Sequence, residues 1–202
     1  MKEIITVQQR SGVRYAGIGA RKTPRSILKL FPSIGAMCAA KGHVLQTGGC
    51  NGPDKEIETG HAFLAPSNVE VFIPWEGYNK RSGRELSVQT GTCLESILIA
   101  KKYYIHPNRD KTWDNLKYSH KQLMARNGYQ VLGKDLNTPV DFVICYTPKG
   151  EIIGGTGQAL RIAKDYGIKV INLGNPNHLT WIIDLLKKEE KYNFKLIKET
   201  KI

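Results

Sequence analysis

The stretch from residue 141 to residue 173, DFVICYTPKGEIIGGTGQALRIAKDYGIKVINL, carries the clearest fold signal in this chain. An apolar run from Phe142 to Tyr146 leads into a glycine-rich turn at residues 154–157. A helix-period stretch then runs to Gly167, and a second apolar run follows from Ile168 to Leu173. A strand, a turn, a helix and a strand in this order form a crossover in which the two strands are parallel. The pattern predicts an α/β fold, a Rossmann-like parallel sheet sandwiched by helices, with the turn at the edge where such sheets bind ligands.

The glycine-rich turn predicts a phosphate site. Glycine lets the backbone approach a ligand closely, and the free N–H groups and positive dipole end of the following helix suit an anion. The alternative is a tight turn whose glycines only permit unusual φ angles. The predicted ligand contacts in this turn are Gly154, Gly155, Thr156, Gly157 and Gln158.

Length and composition are those of a globular domain of ordinary size. The chain has 202 residues, of which 41% are hydrophobic and 24% charged. No run approaches the roughly eighteen apolar residues that a membrane span needs, and the amino terminus lacks the apolar core of a signal peptide. We therefore expect one domain over residues 1–202, in the cytoplasm and away from membranes. The four cysteines have no paired spacing, so we predict neither a zinc site nor a disulfide framework. We expect no bound metal and no cofactor.

The net charge of +12 is the one unusual feature of the composition. It would serve nucleic acid, nucleotides or an acidic partner. A solvated lysine-rich helix and tail near the carboxyl end explains much of it equally well, so we expect nucleic-acid binding to be weak. We also expect a homo-oligomer. The lysines concerned are Lys187, Lys188, Lys191, Lys195, Lys198 and Lys201.

Two further glycine turns follow predicted strands. The strand at residues 13–18 and the strand at residues 43–47 both end in such turns, and another strand is predicted at residues 69–74. In a parallel sheet these turns share one edge with the turn at 154–157, and this convergence indicates an extended ligand such as a nucleotide. The predicted contacts in the two turns are Gly19, Ala20, Arg21, Gly48, Gly49, Asn51 and Asp54.

Two carboxylates begin the helix that is predicted from Pro53 to Leu64. Asp54 and Glu58 stand one turn apart, on one face of that helix. If the protein is an enzyme, they are the candidate catalytic residues, because a carboxylate can activate water or stabilise an oxocarbenium-like centre. They would equally suit a hydrogen bond to a ribose hydroxyl.

Helix boundaries are predicted from capping residues and prolines. Thr23 is the predicted N-cap and Pro24 the first residue of a helix that ends at Gly42, with a kink or break at Pro32. A helical insertion is predicted at about residues 76–138, with helices at 92–104 and from Thr112 to about residue 132. A last edge strand is predicted at residues 192–197.

The insertion and the loop before it supply further candidates for contact with a base or another part of the ligand. Trp75 and Tyr78 lie in a polar loop with three cations, which suits stacking on a base. A surface loop anchored by Trp75 is the alternative. Arg126 and Asn127 on the longer helix either hydrogen-bond within the core or face the ligand.

Four stretches of the chain together are similar to a known protein type. They are YAGIGARKTP, QTGGCNGPDKEIETGHAF, MARNGYQVLGKDLNTPVDFVICYTPKG and GGTGQALRIAKDYGIKVINL. The chain resembles, over about residues 13–175, a small DprA-like protein common in bacteriophages. That type belongs to the SLOG superfamily of Rossmann-like nucleotide binders, which includes DNA-processing protein A and the LOG phosphoribohydrolases. The resemblance implies a parallel sheet with a nucleotide or phosphate site at the three turns, and leaves the activity open.

One departure from the family pattern bears on the activity. LOG phosphoribohydrolases carry the turn PGGxGTxxE, whose glutamate supports cleavage of the N-glycosidic bond. Here Ile153 replaces the proline, Gln158 falls where the threonine would be, and Leu160 and Arg161 occupy the region of the glutamate. The first hypothesis is therefore binding or sequestration of a nucleotide or of a defence-related nucleotide signal, as an anti-defence protein would do. Hydrolysis of a nucleotide's glycosidic bond is the second, and single-stranded DNA binding is the third.

Overall fold

The computed structural model of the chain describes residues 12–85, 88–105 and 112–189. Within these ranges strands and helices alternate as expected of an α/β fold. The elements are β1 (Arg14–Gly19), α1 (Arg25–Leu28), α2 (Phe31–Ala40), β2 (Val44–Thr47), α3 (Pro53–Leu64), β3 (Val69–Ile73), β4 (Val88–Thr90), α4 (Leu94–Lys102), α5 (Tyr118–Leu132), β5 (Phe142–Tyr146), α6 (Gly154–Asp165), β6 (Lys169–Asn172) and α7 (Pro176–Lys188).

The strands form one parallel sheet in the order β4-β3-β2-β1-β5-β6 over the described residues. The predicted Rossmann-like α/β fold is confirmed. The chain builds outward from β1 to β4 on one side and then returns to add β5 and β6 on the other. The strand order therefore reverses between β1 and β5, and open α/β sheets bind ligands at such a reversal.

Side chains of the central strands alternate between two cores. On β1, Tyr15 belongs to a core that includes Phe31 and Ile57 of the α2 and α3 helices. Its neighbour Ala16 belongs to a second core, which includes Leu132 of α5 and further residues of α6. Because successive strand residues point to opposite faces, helices cover both faces of the sheet and leave its carboxyl edge to the loops.

The predicted insertion at residues 76–138 is only partly helical, which corrects the prediction. It contributes β4, whose register pairs Val71 with Val88 and Ile73 with Thr90. A strand of three residues is too short to show the alternation by which strands are recognised in a sequence. Its position at the edge of the sheet depends on pairing with β3.

Two predicted helix starts are wrong. The N-cap of α1 is Pro24, and Thr23 donates its hydroxyl hydrogen to the carbonyl of Ala20 at 2.6 Å instead of capping the helix. The N-cap of α5 is Lys117 and not Thr112, because the intervening residues form turns. The break at Pro32 is confirmed: α1 ends at Leu28, and Pro32 stands in the first turn of α2, where a missing N–H is tolerated.

The predicted edge strand at residues 192–197 and the lysines beyond Glu189 lie outside the described residues. Among the residues that are described, no helix combines the length and the apolar character that crossing a membrane requires.

Candidate functional site

A cavity of about 650 Å³ lies at the carboxyl ends of β1 and β5. Its volume is within the range usual for small-ligand sites, and it is bordered by the turn after β1, by α5 and by the start of α6. Of the residues predicted from the sequence, those that border it are Gly19, Ala20, Arg21, Asp54, Arg126, Asn127, Gly154, Gly155 and Thr156.

The amino terminus of α6 supplies unpaired backbone donors to this cavity. The N-cap is Ile153, and the N–H of Gly157 donates to its carbonyl at 2.9 Å. Helix geometry leaves the N–H groups that precede Gly157 in the first turn without intrahelical acceptors. A Cβ added to Gly154 would meet nothing within 4 Å, and one added to Gly155 would meet only Met124 Cε, at 3.6 Å. These two glycines therefore leave open space beside the helix amides.

Arg126 is a buried cation at the wall of the cavity. Only 6% of the residue is exposed. Its Nη1 donates to the carbonyl of Gly48, and its Nη2 donates to Asn127 Oδ1 at 3.3 Å. Its Nε is buried without a hydrogen-bond partner among the described residues. Burial opposes the charge, but Cys50 and Asp54 nearby raise the pKa of Arg126, so the group stays cationic.

Asp54 joins the turns that follow β1 and β2. Its Oδ1 accepts the N–H of Gly19 at 3.2 Å, and its Oδ2 accepts the N–H of Gly48 at 3.2 Å and Gln130 Nε2 at 3.4 Å. Burial raises the pKa of Asp54 to about 6, although Arg126 and the backbone donors act in the opposite direction. The carboxyl group therefore both positions the turns and titrates close to neutral pH.

Two glycines of these turns, Gly19 and Gly48, are closely packed. A Cβ at Gly48 would lie 2.2 Å from Arg126 Nη1, and a Cβ at Gly19 would lie 2.5 Å from Pro53 Cγ. Protein atoms already occupy the space beside both residues. Gly157 is similar, since a Cβ there would lie 2.6 Å from the carbonyl carbon of Ile152.

Glu58 lies away from the 650 Å³ cavity. It accepts a hydrogen bond from Arg81 Nη1 at 2.7 Å and lines a separate cavity of about 180 Å³, together with Gly49 and Asn51. Glu58 shares a helix face with Asp54 but stands about 6 Å further along α3, because each helical residue rises about 1.5 Å. That turn carries it away from the sheet edge where Asp54 lies.

The two aromatic residues predicted to stack on a base pack against the protein. The rings of Trp75 and Tyr78 meet edge to face at 5.2 Å, and the Tyr78 hydroxyl lies 3.0 Å from Cys50 Sγ. Neither residue borders the large cavity. Their contacts fit the alternative of a loop anchored by aromatic packing.

Asn127 and Gln158 connect three helices. Asn127 Nδ2 donates to the carbonyl of Gly155 at 3.1 Å and to Gln158 Oε1 at 2.8 Å. Gln158 is fully buried, and its Nε2 donates to the carbonyl of Ala100 at 3.0 Å. These bonds hold the start of α6 against α5 and α4.

A smaller cavity of about 250 Å³ adjoins the large one. The two have lining residues in common, among them Met124, Gly154 and Gly155. Sequence reasoning identified Gly154, Gly155 and Gln158 on its walls, but not its apolar side chains, and it did not identify Lys22 in the large cavity. Lys22 directly follows Arg21, so a second cation in that turn was visible in the sequence. The apolar walls of the small cavity had no such signal, because they meet only in the folded chain.

No protein-family model matches this chain, and no curated protein matches its sequence. Two solved structures resemble it in three dimensions. The Moco carrier protein of Chlamydomonas rheinhardtii is 16% identical, with a TM-score of 0.47, over 88% of this chain and 85% of that chain. DNA processing protein A from Helicobacter pylori, which binds single-stranded DNA, is 17% identical, with a TM-score of 0.48, over 88% of this chain and 82% of that chain.

Proposed function

We propose that this protein binds or sequesters a nucleotide or a nucleotide-derived signal in the 650 Å³ cavity. One observation carries the proposal: the amino terminus of α6 and the cations Arg21, Lys22 and Arg126 all border the same cavity. Helix amides and cations together suit a phosphate group. On its sequence motifs the protein would be a phage-type, DprA-like member of the SLOG superfamily, acting in the cytoplasm on a host defence signal.

The donors divide into an inner and an outer group. Arg126 and the first amides of α6 are fixed by packing, so they would bind phosphate without rearranging. Arg126 is buried at the cavity wall, and its charge would stabilise an anion in the adjacent space. Arg21 and Lys22 are exposed, and they would attract the anion toward the cavity.

Thermal unfolding with a panel of mono-, di- and cyclic nucleotides tests the proposal. A ligand present at about 100 times its Kd stabilises the native state by about 2.7 kcal/mol and raises the Tm. Gly155→Val should abolish this shift, because the side chain would fill the space beside the helix amides. Arg21→Ala should reduce it, whereas Arg25→Ala should not, since Arg25 is an exposed cation in the same segment that does not border the cavity. The proposal fails if no nucleotide shifts the Tm of the wild type.

Hydrolysis of the glycosidic bond is a second candidate function, favoured by Asp54. Its carboxyl group borders the cavity, and burial raises its pKa to about 6, so it would exchange protons near neutral pH. Free base should then accumulate when nucleotides are incubated with the protein. Asp54→Asn should stop its release, and Glu58→Gln should leave it unchanged. If the nucleotide is still intact after long incubation, and binding is measured in parallel, hydrolysis is ruled out as the function.

A further inference from the structure

The 250 Å³ cavity and the 650 Å³ cavity are neighbours, and the amino terminus of α6 lies between them. Gly154, Gly155 and Met124 border both spaces, and Met124 Cε is the nearest atom to the position of a Cβ on Gly155. A ligand with its phosphate at the α6 amides would therefore have its next chemical group within reach of the small cavity.

Aliphatic and aromatic side chains dominate the walls of the small cavity. Tyr104 and Ile105 follow α4, Leu116 precedes α5, and Met124 lies on α5. The Tyr104 ring meets the ring of Trp113 edge to face, with centroids 5.6 Å apart. Because Trp113 is 7% exposed, this contact sets the orientation of an aromatic face beside the cavity.

The polar residues on these walls are Tyr104, His120, Gln158 and Arg161. Both ends of the Gln158 amide are hydrogen-bonded, to Ala100 and to Asn127. Arg161 donates from Nε to the carbonyl of Tyr103 at 2.8 Å. No carboxylate is among the described residues that line the cavity. Because apolar side chains dominate, these walls suit a flat ring better than a sugar.

We infer that this small cavity, the base compartment, receives the nucleobase of the ligand while the phosphate lies at the α6 amides. The inference rests on the proposed nucleotide binding and extends it, because it makes the base a source of affinity. The ligand class is then a compact nucleotide with one base and its phosphate next to each other. The aromatic surface for the base is Tyr104, in place of Trp75.

Isothermal titration of the wild type with AMP, GMP, CMP, UMP and ribose 5-phosphate tests this inference. At least one nucleotide should bind at least tenfold more tightly than ribose 5-phosphate, which has the same phosphate but no base. Leu116→Gln should weaken that nucleotide at least tenfold and change the affinity for ribose 5-phosphate by less than twofold. A merely structural role of Leu116 would weaken both ligands together.

Two more variants keep the test decisive if Leu116→Gln folds poorly. Ile105 is 63% exposed and lines the base compartment, whereas Leu98 is 57% exposed and lines neither cavity. Ile105→Gln should selectively weaken the nucleotide, and Leu98→Gln should not. The inference is overturned, and nucleotide binding stands, if nucleotides and ribose 5-phosphate bind equally. The same holds if Ile105→Gln and Leu98→Gln affect nucleotide binding equally. If none of the five compounds binds, the inference of a compact nucleotide ligand is overturned, and the thermal-shift panel decides the proposed function.

Discussion

Two glycine-rich turns at the same edge of the sheet have opposite surroundings. In the turn after β2, the position of a Cβ on Gly48 is 2.2 Å from the guanidinium of Arg126. At the start of α6, the corresponding position on Gly155 is 3.6 Å from a single methyl carbon of Met124. The first turn is filled by the protein, and the second leaves room for a ligand.

A glycine at a sheet edge therefore has two separate uses. It can admit a neighbouring side chain, as Gly48 admits Arg126, or it can admit a ligand, as we propose for Gly155. The sequence does not distinguish the two uses, because Arg126 comes 78 residues after Gly48. Substitution separates them, since a packing glycine affects stability and a ligand-binding glycine affects affinity.

The largest expected effect is that of Gly48→Ala on stability. The added methyl group would displace Arg126 and Gln130, whose Nε2 lies 2.6 Å from the Cβ position. Because Arg126 is buried and hydrogen-bonded to this turn, we expect the free energy of unfolding to fall by about 3 kcal/mol. Urea denaturation of the unliganded protein measures it.

Gly155→Ala is the matched control for that experiment. It adds the same methyl group where only an ordinary contact with Met124 results, so the free energy of unfolding should change by less than about 1 kcal/mol. Equal destabilisation by the two substitutions would contradict the distinction between a filled turn and an open one.

A smaller effect is expected from the charge of Asp54, which belongs to the filled turn. Its pKa is raised by burial from an ordinary 3.8 to about 6, so the folded state disfavours the ionised form. The resulting contribution to stability is fully present below pH 3.8 and is lost as the pH rises through 6. Relative to Asp54→Asn, the wild type should therefore gain about 2 kcal/mol between pH 7 and pH 4.

Comparing the wild type with Asp54→Asn also cancels the pH-dependent contribution of a second group, His61, to the free energy of unfolding. Burial lowers the pKa of His61 to about 4, so its contribution to stability is lost as the pH falls from 6.5 toward 4. His61 titrates in the same pH window as Asp54 but in the opposite sense, and it is present in both proteins. A difference between the two unfolding free energies that does not vary with pH would show that Asp54 is not perturbed.

Most of the fold could be predicted from the sequence where long patterns end at glycine or proline. The bounds of β5 and α3 agree with the prediction, since an apolar run and a proline mark their starts. Elements too short to show a repeating pattern of apolar residues were not predicted correctly. β4 has three residues, and Thr112 resembled a cap only because the turns before α5 could not be seen. These elements depend on contacts between distant segments.

The sequence predicted which turns and several of the side chains that border the candidate site, but not how those side chains pair with one another. The turn after β1 and the start of α6 meet at one cavity, as convergent strand ends in a parallel sheet require. The roles of the residues there remain predictions. Asp54 could be assigned to this edge because it starts α3, whereas Glu58, one turn later on the helix, lies beyond the edge and pairs with Arg81. The base compartment depends on the packing of α4 against α5, which no local pattern shows.

The smallest expected effect concerns Trp75, in the loop that closes over the filled turn. This loop is held there by the hydrogen bond from Asn79 Nδ2 to the carbonyl of Gly49 at 2.8 Å and by Tyr78 at Cys50. Trp75 packs on Tyr78, outside the large cavity. We therefore expect Trp75→Ala to change the affinity for labelled single-stranded oligonucleotides by less than about twofold at moderate salt. If a base stacked on Trp75, its loss would cost about 1–3 kcal/mol of binding free energy. Trp181→Ala on α7, where the tryptophan is 49% exposed, is the control.

Fluorescence anisotropy against salt, with single- and double-stranded oligonucleotides, measures that effect. The net charge of +12 should give binding that does not distinguish the strands and that weakens by orders of magnitude between about 50 and 200 mM salt if about six or more phosphate contacts form. A dedicated single-strand site would instead add base stacking, which persists at moderate salt. Tight single-strand binding at physiological salt that is lost in Trp75→Ala and kept in Trp181→Ala would make the filled turn a nucleic-acid site and place DNA binding ahead of nucleotide binding.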